Sequence, residues 1–191
     1  MSDKNDINIE IELKFLLTDP PEKLIEKFGD YAKQAKKTYQ KTVMFDNDQQ
    51  LMQKTNGRIR LRQSGDIVTL SYKLPLPSSG VKKEVEWETK IGSWKVGENL
   101  LKAMGFKETT SYEKYRTSFN YKNTKVEIDE YPFANFIEIE GEEKDIVEIA
   151  KEINFDIKTA LKEPCDTLFT KWRLAKGLPM KPYMRFDDYD K

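Results

Sequence analysis

The chain contains no histidine and a single cysteine, Cys165. The first absence excludes Ser-His-Asp and Cys-His catalysis and every histidine-ligated metal site. It leaves carboxylates as metal ligands, and lysine, tyrosine or a metal-bound water for proton transfer. The second excludes an internal disulfide and a thiolate zinc site, in keeping with a reducing compartment. Long apolar runs are missing too. Nothing approaches the roughly 18 apolar residues of a membrane helix, and the opening residues MSDKNDIN carry no apolar signal segment. The expected location is cytoplasmic, with no membrane partner. There is also no net charge, since Lys plus Arg and Asp plus Glu stand at 33 each. That balance removes the bulk electrostatic argument for a nucleic-acid polymer as partner. No GxxxxGK[ST] is present to form a P-loop.

What is present is charge in quantity: 35% of the 191 residues, against 38% hydrophobic. Ten phenylalanines, nine tyrosines and three tryptophans are too many for a disordered chain. The length suits one domain, expected over 1–177, with 178–191 as a polar, loosely docked tail. Trp87, Trp94 and Trp172 are scattered and read as packing residues, and Cys165 as a structural thiol.

Periodicity organises the chain. From Ile7 to Phe15, Ile, Leu and Phe alternate with Asn8, Glu10, Glu12 and Lys14, the period of a strand. Asp19-Pro20-Pro21-Glu22 opens a covering helix predicted to run to about Lys37. Strands are predicted at 39–46, 58–62, 67–73, 81–89, 111–121, 125–131 and 134–140, with a turn at Asn56-Gly57. A short helix around Leu100 to Met104 stops at Gly105, and amphipathic helices follow at about 142–153 and 164–176.

On nearly every strand one face is aliphatic or aromatic and the other is charged rather than merely polar. The charged faces read Glu10, Glu12, Lys14; Arg58, Arg60, Arg62; Lys82, Glu84, Glu86, Glu88; Lys114, Arg116; Lys125, Glu127, Asp129; and Glu138, Glu140. An antiparallel sheet with its charged face in water explains any one of these strands. The clustering by sign is harder to explain that way, because like charges at i and i+2 repel across roughly 7 Å. If the sheet curls with its charged faces inward, acid pairs can take a hard cation such as Mg²⁺ or Mn²⁺ and the arginine ladder can cradle phosphates. The aliphatic faces then point outward, under the helices.

Glu10-Ile-Glu12-Leu-Lys14 resembles the ExExK signature of the CYTH family, the triphosphate tunnel metalloenzymes. The order of further elements is similar as well: Ile59-Arg60-Leu61-Arg62, Tyr72-Lys73, Glu84-x-Glu86, Met104-Gly105-Phe106 before Lys114-Tyr115-Arg116, and Asp129 before Phe136-Ile-Glu138-Ile-Glu140. The resemblance implies an α+β fold, an eight-stranded antiparallel β-barrel forming a tunnel and flanked by amphipathic helices. It implies Glu10, Glu12, Glu138 and Glu140 as ligands of Mg²⁺ or Mn²⁺, and Lys14, Arg60, Arg62, Lys73, Lys114 and Arg116 as phosphate-binding residues. Arg58 is a lower-ranked addition, because the family often has a small residue there. Lys14, Lys114 and Asp129 are the implied catalytic residues, Asp129 beside the metal or positioning a basic group.

The sequence departs from the family pattern at Gln40 to Asp46, which lacks an inner acid and a tyrosine, at Tyr131 to Asn135, and at Cys165-Asp166. These departures bear on which reaction is run. Hydrolysis of inorganic triphosphate, ATP or thiamine triphosphate is the leading reading. Adenylyl cyclase chemistry, giving cyclic AMP and pyrophosphate, is the alternative, and a non-catalytic polyphosphate-binding barrel the third. A lipocalin-like carrier is excluded by the charged lining. Homodimer formation is left open.

Overall fold

The computed structural model describes residues 8–188, so Ile7 of the predicted first strand lies outside the described residues. Strand β1 (Asn8–Leu17) leads to α1 (Pro21–Lys27). The helix is shorter than the predicted run to Lys37, because Gly29 takes a left-handed φ of +53° and the chain tightens into a 3₁₀ turn over Gly29–Ala32. Residues from Lys36 onward are instead drawn into β2 (Lys36–Asn47) by pairing with a later strand.

The predicted turn at Asn56-Gly57 is the exit of α2 (Leu51–Thr55), five residues that carry too little periodicity to be read. Asp46 begins that helix, accepting from the backbone N–H of Met52 at 2.9 Å and of Gln53 at 3.1 Å. Three hairpin strands follow, β3 (Arg58–Ser64), β4 (Ile67–Leu76) and β5 (Lys82–Ile91). Then come α3 (Trp94–Ala103), capped by Ser93, β6 (Phe106–Tyr121), β7 (Thr124–Glu130) and β8 (Asn135–Glu140). Helices α4 (Glu143–Glu152) and α5 (Cys165–Ala175) complete the expected set.

The sheet order is β2-β3-β4-β5-β1-β8-β7-β6, and β6 returns to pair with β2, so eight antiparallel strands close into a barrel. Closure puts the two faces of each strand in different media. Outward side chains of β1, β6, β7 and β8, among them Leu13, Phe15, Phe119, Val126, Ile128, Ile137 and Ile139, pack under α1 and α4. A second outer cluster joins Val43, Phe45, Leu61 and Val68 to Leu101 of α3. Gly97 permits that contact, since a Cβ there would lie 2.3 Å from Ile91 Cδ1.

From Leu178 to Asp188 the chain is docked on the barrel, and the last three residues of the expected tail lie outside the described residues. A two-residue strand, β9 (Tyr183–Met184), runs parallel to β6 at Ser111 and Tyr112, in the gap left before β7 begins its pairing at Tyr115. Met184 is completely buried there.

Candidate active site

Strand alternation sends the charged residues into the barrel lumen, a cavity of about 170 Å³. Glu10, Glu12, Lys14, Arg58, Arg60, Arg62, Lys73, Lys114, Arg116, Glu138 and Glu140 all line it. Asp129 does not reach that surface; it is fully buried beneath Lys114 and Arg116, on the same inward face of β7 as Glu127. It grips Arg116 through both oxygens, at 2.6 and 2.5 Å, and accepts from Lys114 Nζ at 2.6 Å. Of the two roles left open for Asp129, its contacts are those of a positioning group. Among the described residues nine cationic and nine acidic side chains line the lumen, so the site can neutralise itself without a ligand.

That neutralisation follows from cross-strand register. Like charges stand directly opposite each other at Glu10 and Glu84, at Glu12 and Glu140, and at Glu127 and Glu138. Each such pair is unfavourable alone, and each is resolved by a cation inserted beside it. Lys82 bridges Glu12 at 2.7 Å and Glu84 at 2.8 Å. Arg58 reaches both oxygens of Glu84, at 2.5 and 2.6 Å. Lys73 joins Glu10 to Glu86, the latter at 3.2 Å. Arg60 contacts Glu86 at 3.0 Å and donates to Ser71 Oγ at 3.0 Å. On the other wall Lys14 pairs with Glu138 at 2.9 Å, Arg116 bonds Glu138 at 2.6 Å and also Glu127, and Lys125 meets Glu127 at 2.8 Å.

One lumen cation stands apart. Arg62 has no carboxylate partner among the described residues; its Nε donates to Thr42 Oγ1 at 3.3 Å.

These contacts set the protonation states. Burial would raise the carboxyls of Glu84 and Glu127, but Lys82 and Arg58 hold the first at about 2, and Arg116 and Lys125 the second at about 2. Glu138 is likewise held well below the carboxylate range, against burial, by Lys14 and Arg116. Glu10 goes the other way. Burial pushes it up to about 7, with Glu12 and Glu86 adding to the rise and Lys73 only partly opposing it. Burial also brings Lys114 down to about 7, helped by Arg116 and Arg62; Asp129, already engaged by Arg116, restores only part. Lys14 is raised, because Glu138 and Glu12 outweigh its burial.

At one end the lumen turns apolar. Met44, Tyr112, Tyr131, Phe136, Cys165, Phe169 and Met184 form a buried plug on which α5 lies, and the Lys114 ammonium sits 5.3 Å from the Tyr131 ring centre. Burial pushes the Cys165 thiol up to about 12, consistent with a structural thiol. Beside the plug a vestibule of about 820 Å³ opens, bordered by Asp46, Met52, Pro75 and Leu76 and sharing Arg58, Lys82 and Glu84 with the lumen.

The lumen also takes in Lys82, Glu84, Glu86, Glu88, Lys125 and Glu127, which alternation places on charged faces but which the family resemblance assigns no role. Their signal was the strand period itself. The plug residues had no such signal, because an aromatic on a strand reads alike whether it faces a helix or stops a tunnel. Among the described residues no three acidic or thiol side chains group tightly enough to hold a metal ion, since the acids are turned onto lysines and arginines.

A closed antiparallel barrel with a charge-lined lumen, stoppered at one end by a helix, defines a β-tunnel protein. The CYTH domain model matches residues 8–167, and the chain belongs to the CYTH family. A Methanocaldococcus jannaschii protein provisionally named an adenylate cyclase is 26% identical over 167 residues, covering 85% of this chain and 95% of that one. Among solved structures, one from Vibrio parahaemolyticus superposes with a TM-score of 0.72 at 14% identity, covering 86% of this chain and 99% of that chain. That protein, too, bears the provisional name of an adenylate cyclase. The Hippeastrum protein HpAC1, described as having a dominant triphosphatase activity, superposes with a TM-score of 0.59 at 18% identity, over 92% and 100% of the two chains.

Proposed function

We propose that this protein is a divalent-metal-dependent triphosphatase that hydrolyses the terminal phosphoanhydride of an inorganic or organic triphosphate inside the barrel. The observation that carries the reading is the lumen itself: a basic ladder from β3, β4 and β6 faces acid pairs on β1 and β8 in one enclosed, mostly buried space. CYTH proteins act on triphosphates, and HpAC1 is described as a protein of dominant triphosphatase activity.

Glu10, Glu12, Glu138 and Glu140 offer only carboxylate oxygens, a donor set suited to hard Mg²⁺ or Mn²⁺. When bound, that ion supplies charge neutralisation across the phosphates and activation of water. The chain's residues do the rest. Arg60, Arg62, Lys73 and Arg116 bind phosphate oxygens, with Arg58 and Lys14 at the margins of the ladder. Among the described residues Arg62 engages no carboxylate, so it is the first contact a phosphate gains without breaking an ion pair. Asp129 holds Arg116 and Lys114 in position. Lys114, near 7, is partly a neutral amine at neutral pH and can accept the proton that water loses on attacking phosphorus. The P–O bond to the leaving diphosphate breaks in line.

Adenylyl cyclase chemistry remains the second reading, favoured by the name of the M. jannaschii relative and by a vestibule roomy enough for an organic group. Incubation with tripolyphosphate, thiamine triphosphate and ATP, each with Mg²⁺ or Mn²⁺, separates the two. Orthophosphate release supports hydrolysis; cyclic AMP with pyrophosphate, and no orthophosphate, would overturn it. Absence of any product with metal-dependent polyphosphate binding retained would leave a non-catalytic barrel.

A further inference from the structure

Lys82 stands in a different position from every other lumen lysine. It is the first residue of β5, directly after the loop that holds Gly80 at φ +84°. Among the lumen lysines it alone also borders the vestibule. Its ammonium bridges Glu12 and Glu84, and it is the only ion-pair partner of Glu12 among the described residues. Glu84 would keep Arg58 if Lys82 left. Glu12 would keep no ion pair among the described residues, only the longer-range attraction of Lys14, and it faces Glu140 directly across the β1–β8 ladder, where the Lys125 contact is a loose 3.5 Å. An ammonium bridging carboxylates of neighbouring strands occupies the kind of position a divalent cation takes among oxygens. A lysine on a flexible four-carbon stem can leave such a position without moving the backbone.

We propose that Lys82 is an internal counter-ion with two positions: beside Glu12 in the empty barrel, and on a phosphate oxygen at the vestibule mouth once a divalent cation replaces it. Metal and triphosphate are then coupled through one side chain. The cation must displace Lys82 to reach Glu12, and a phosphate that draws Lys82 away lowers the cost of that displacement. By linkage each ligand strengthens the other by the same factor. The proposal rests on the metal and triphosphate reading given above.

The test is binding rather than turnover. Free Mn²⁺ is followed by electron paramagnetic resonance during titration of the whole protein, with and without tripolyphosphate at fixed free Mn²⁺. Wild type is compared with Lys82→Met, Lys82→Gln and Lys83→Met, all checked by thermal melting. Lys83 pairs instead with Glu143, at 2.8 Å, and serves as the control. Without tripolyphosphate, Lys82→Met and Lys82→Gln are expected to bind Mn²⁺ on the order of tenfold more tightly than wild type, and their mutual enhancement with tripolyphosphate to fall by a similar factor. Lys83→Met is expected to match wild type. If a folded Lys82 variant binds Mn²⁺ no more tightly than wild type, while wild type binds metal and tripolyphosphate together, the proposal is overturned and the triphosphatase reading stands. Absence of Mn²⁺ binding by every protein, even with tripolyphosphate, would overturn both.

Discussion

Glu10 and Lys114 meet near neutrality from opposite directions, and this gives the empty protein a characteristic response to pH. Glu10 titrates at about 7 folded against 4.5 for an ordinary glutamate, so the stability it contributes is complete below 4.5 and is lost as pH rises through 7. Lys114 titrates at about 7 against 10.5, so its contribution is complete above 10.5 and is lost as pH falls through 7. The metal-free protein is therefore expected to show a dip in melting temperature near pH 7. Glu10→Gln should remove the limb between 4.5 and 7; an unchanged profile in that variant would refute the assignment to Glu10. Two more substitutions test roles. Glu12→Gln or Glu140→Gln should abolish metal-dependent turnover with the melting temperature largely kept, and activity surviving in both would sink the metal assignment. Arg60→Ala loses charge-assisted contacts and should raise KM for a triphosphate on the order of tenfold to a hundredfold. These residues were legible in the sequence because strand alternation makes facing a local property. Their partners were not, since Lys82 reaches Glu12 only across a register set by closure.

At the scale of elements, long strands were readable and short pieces were not. The strands of the barrel alternate over five residues or more, enough to fix a face. Helix α2 and strand β9 are five and two residues long, and each owes its existence to something distant or nonperiodic. For α2 that is the Asp46 carboxylate capping its N-terminus. For β9 it is an edge of β6 left open by β7. The predicted extension of α1 failed for the complementary reason: a helical pattern of apolar residues continues past Gly29, but β6 offers the segment a ladder of backbone hydrogen bonds. Because β9 carries a plug residue, it should matter to stability. Met184→Ala is expected to cost about 2–5 kcal/mol, measured by urea denaturation. A cost under 1 kcal/mol would mean that the C-terminal strand is an ornament on the barrel.

For the whole molecule, the lumen is a balanced lattice of opposite charges that ligands must break into and then replace. Mg²⁺ or Mn²⁺ together with tripolyphosphate should raise the melting temperature more than the sum of either alone; at about a hundredfold excess over Kd, stabilisation is about 2.7 kcal/mol. Strict additivity would argue against a shared lumen. The sequence by itself determined the alternation, the sign of each charged face, the exclusion of any histidine ligand, and the family. Only the tertiary structure decided which carboxylate each cation holds, that Arg62 is left without one among the described residues, that α5 stoppers one end, and that the tail supplies a strand. The division has a physical cause. Which way a side chain points is set by the backbone period, whereas which group it meets depends on register and closure between strands far apart in the chain.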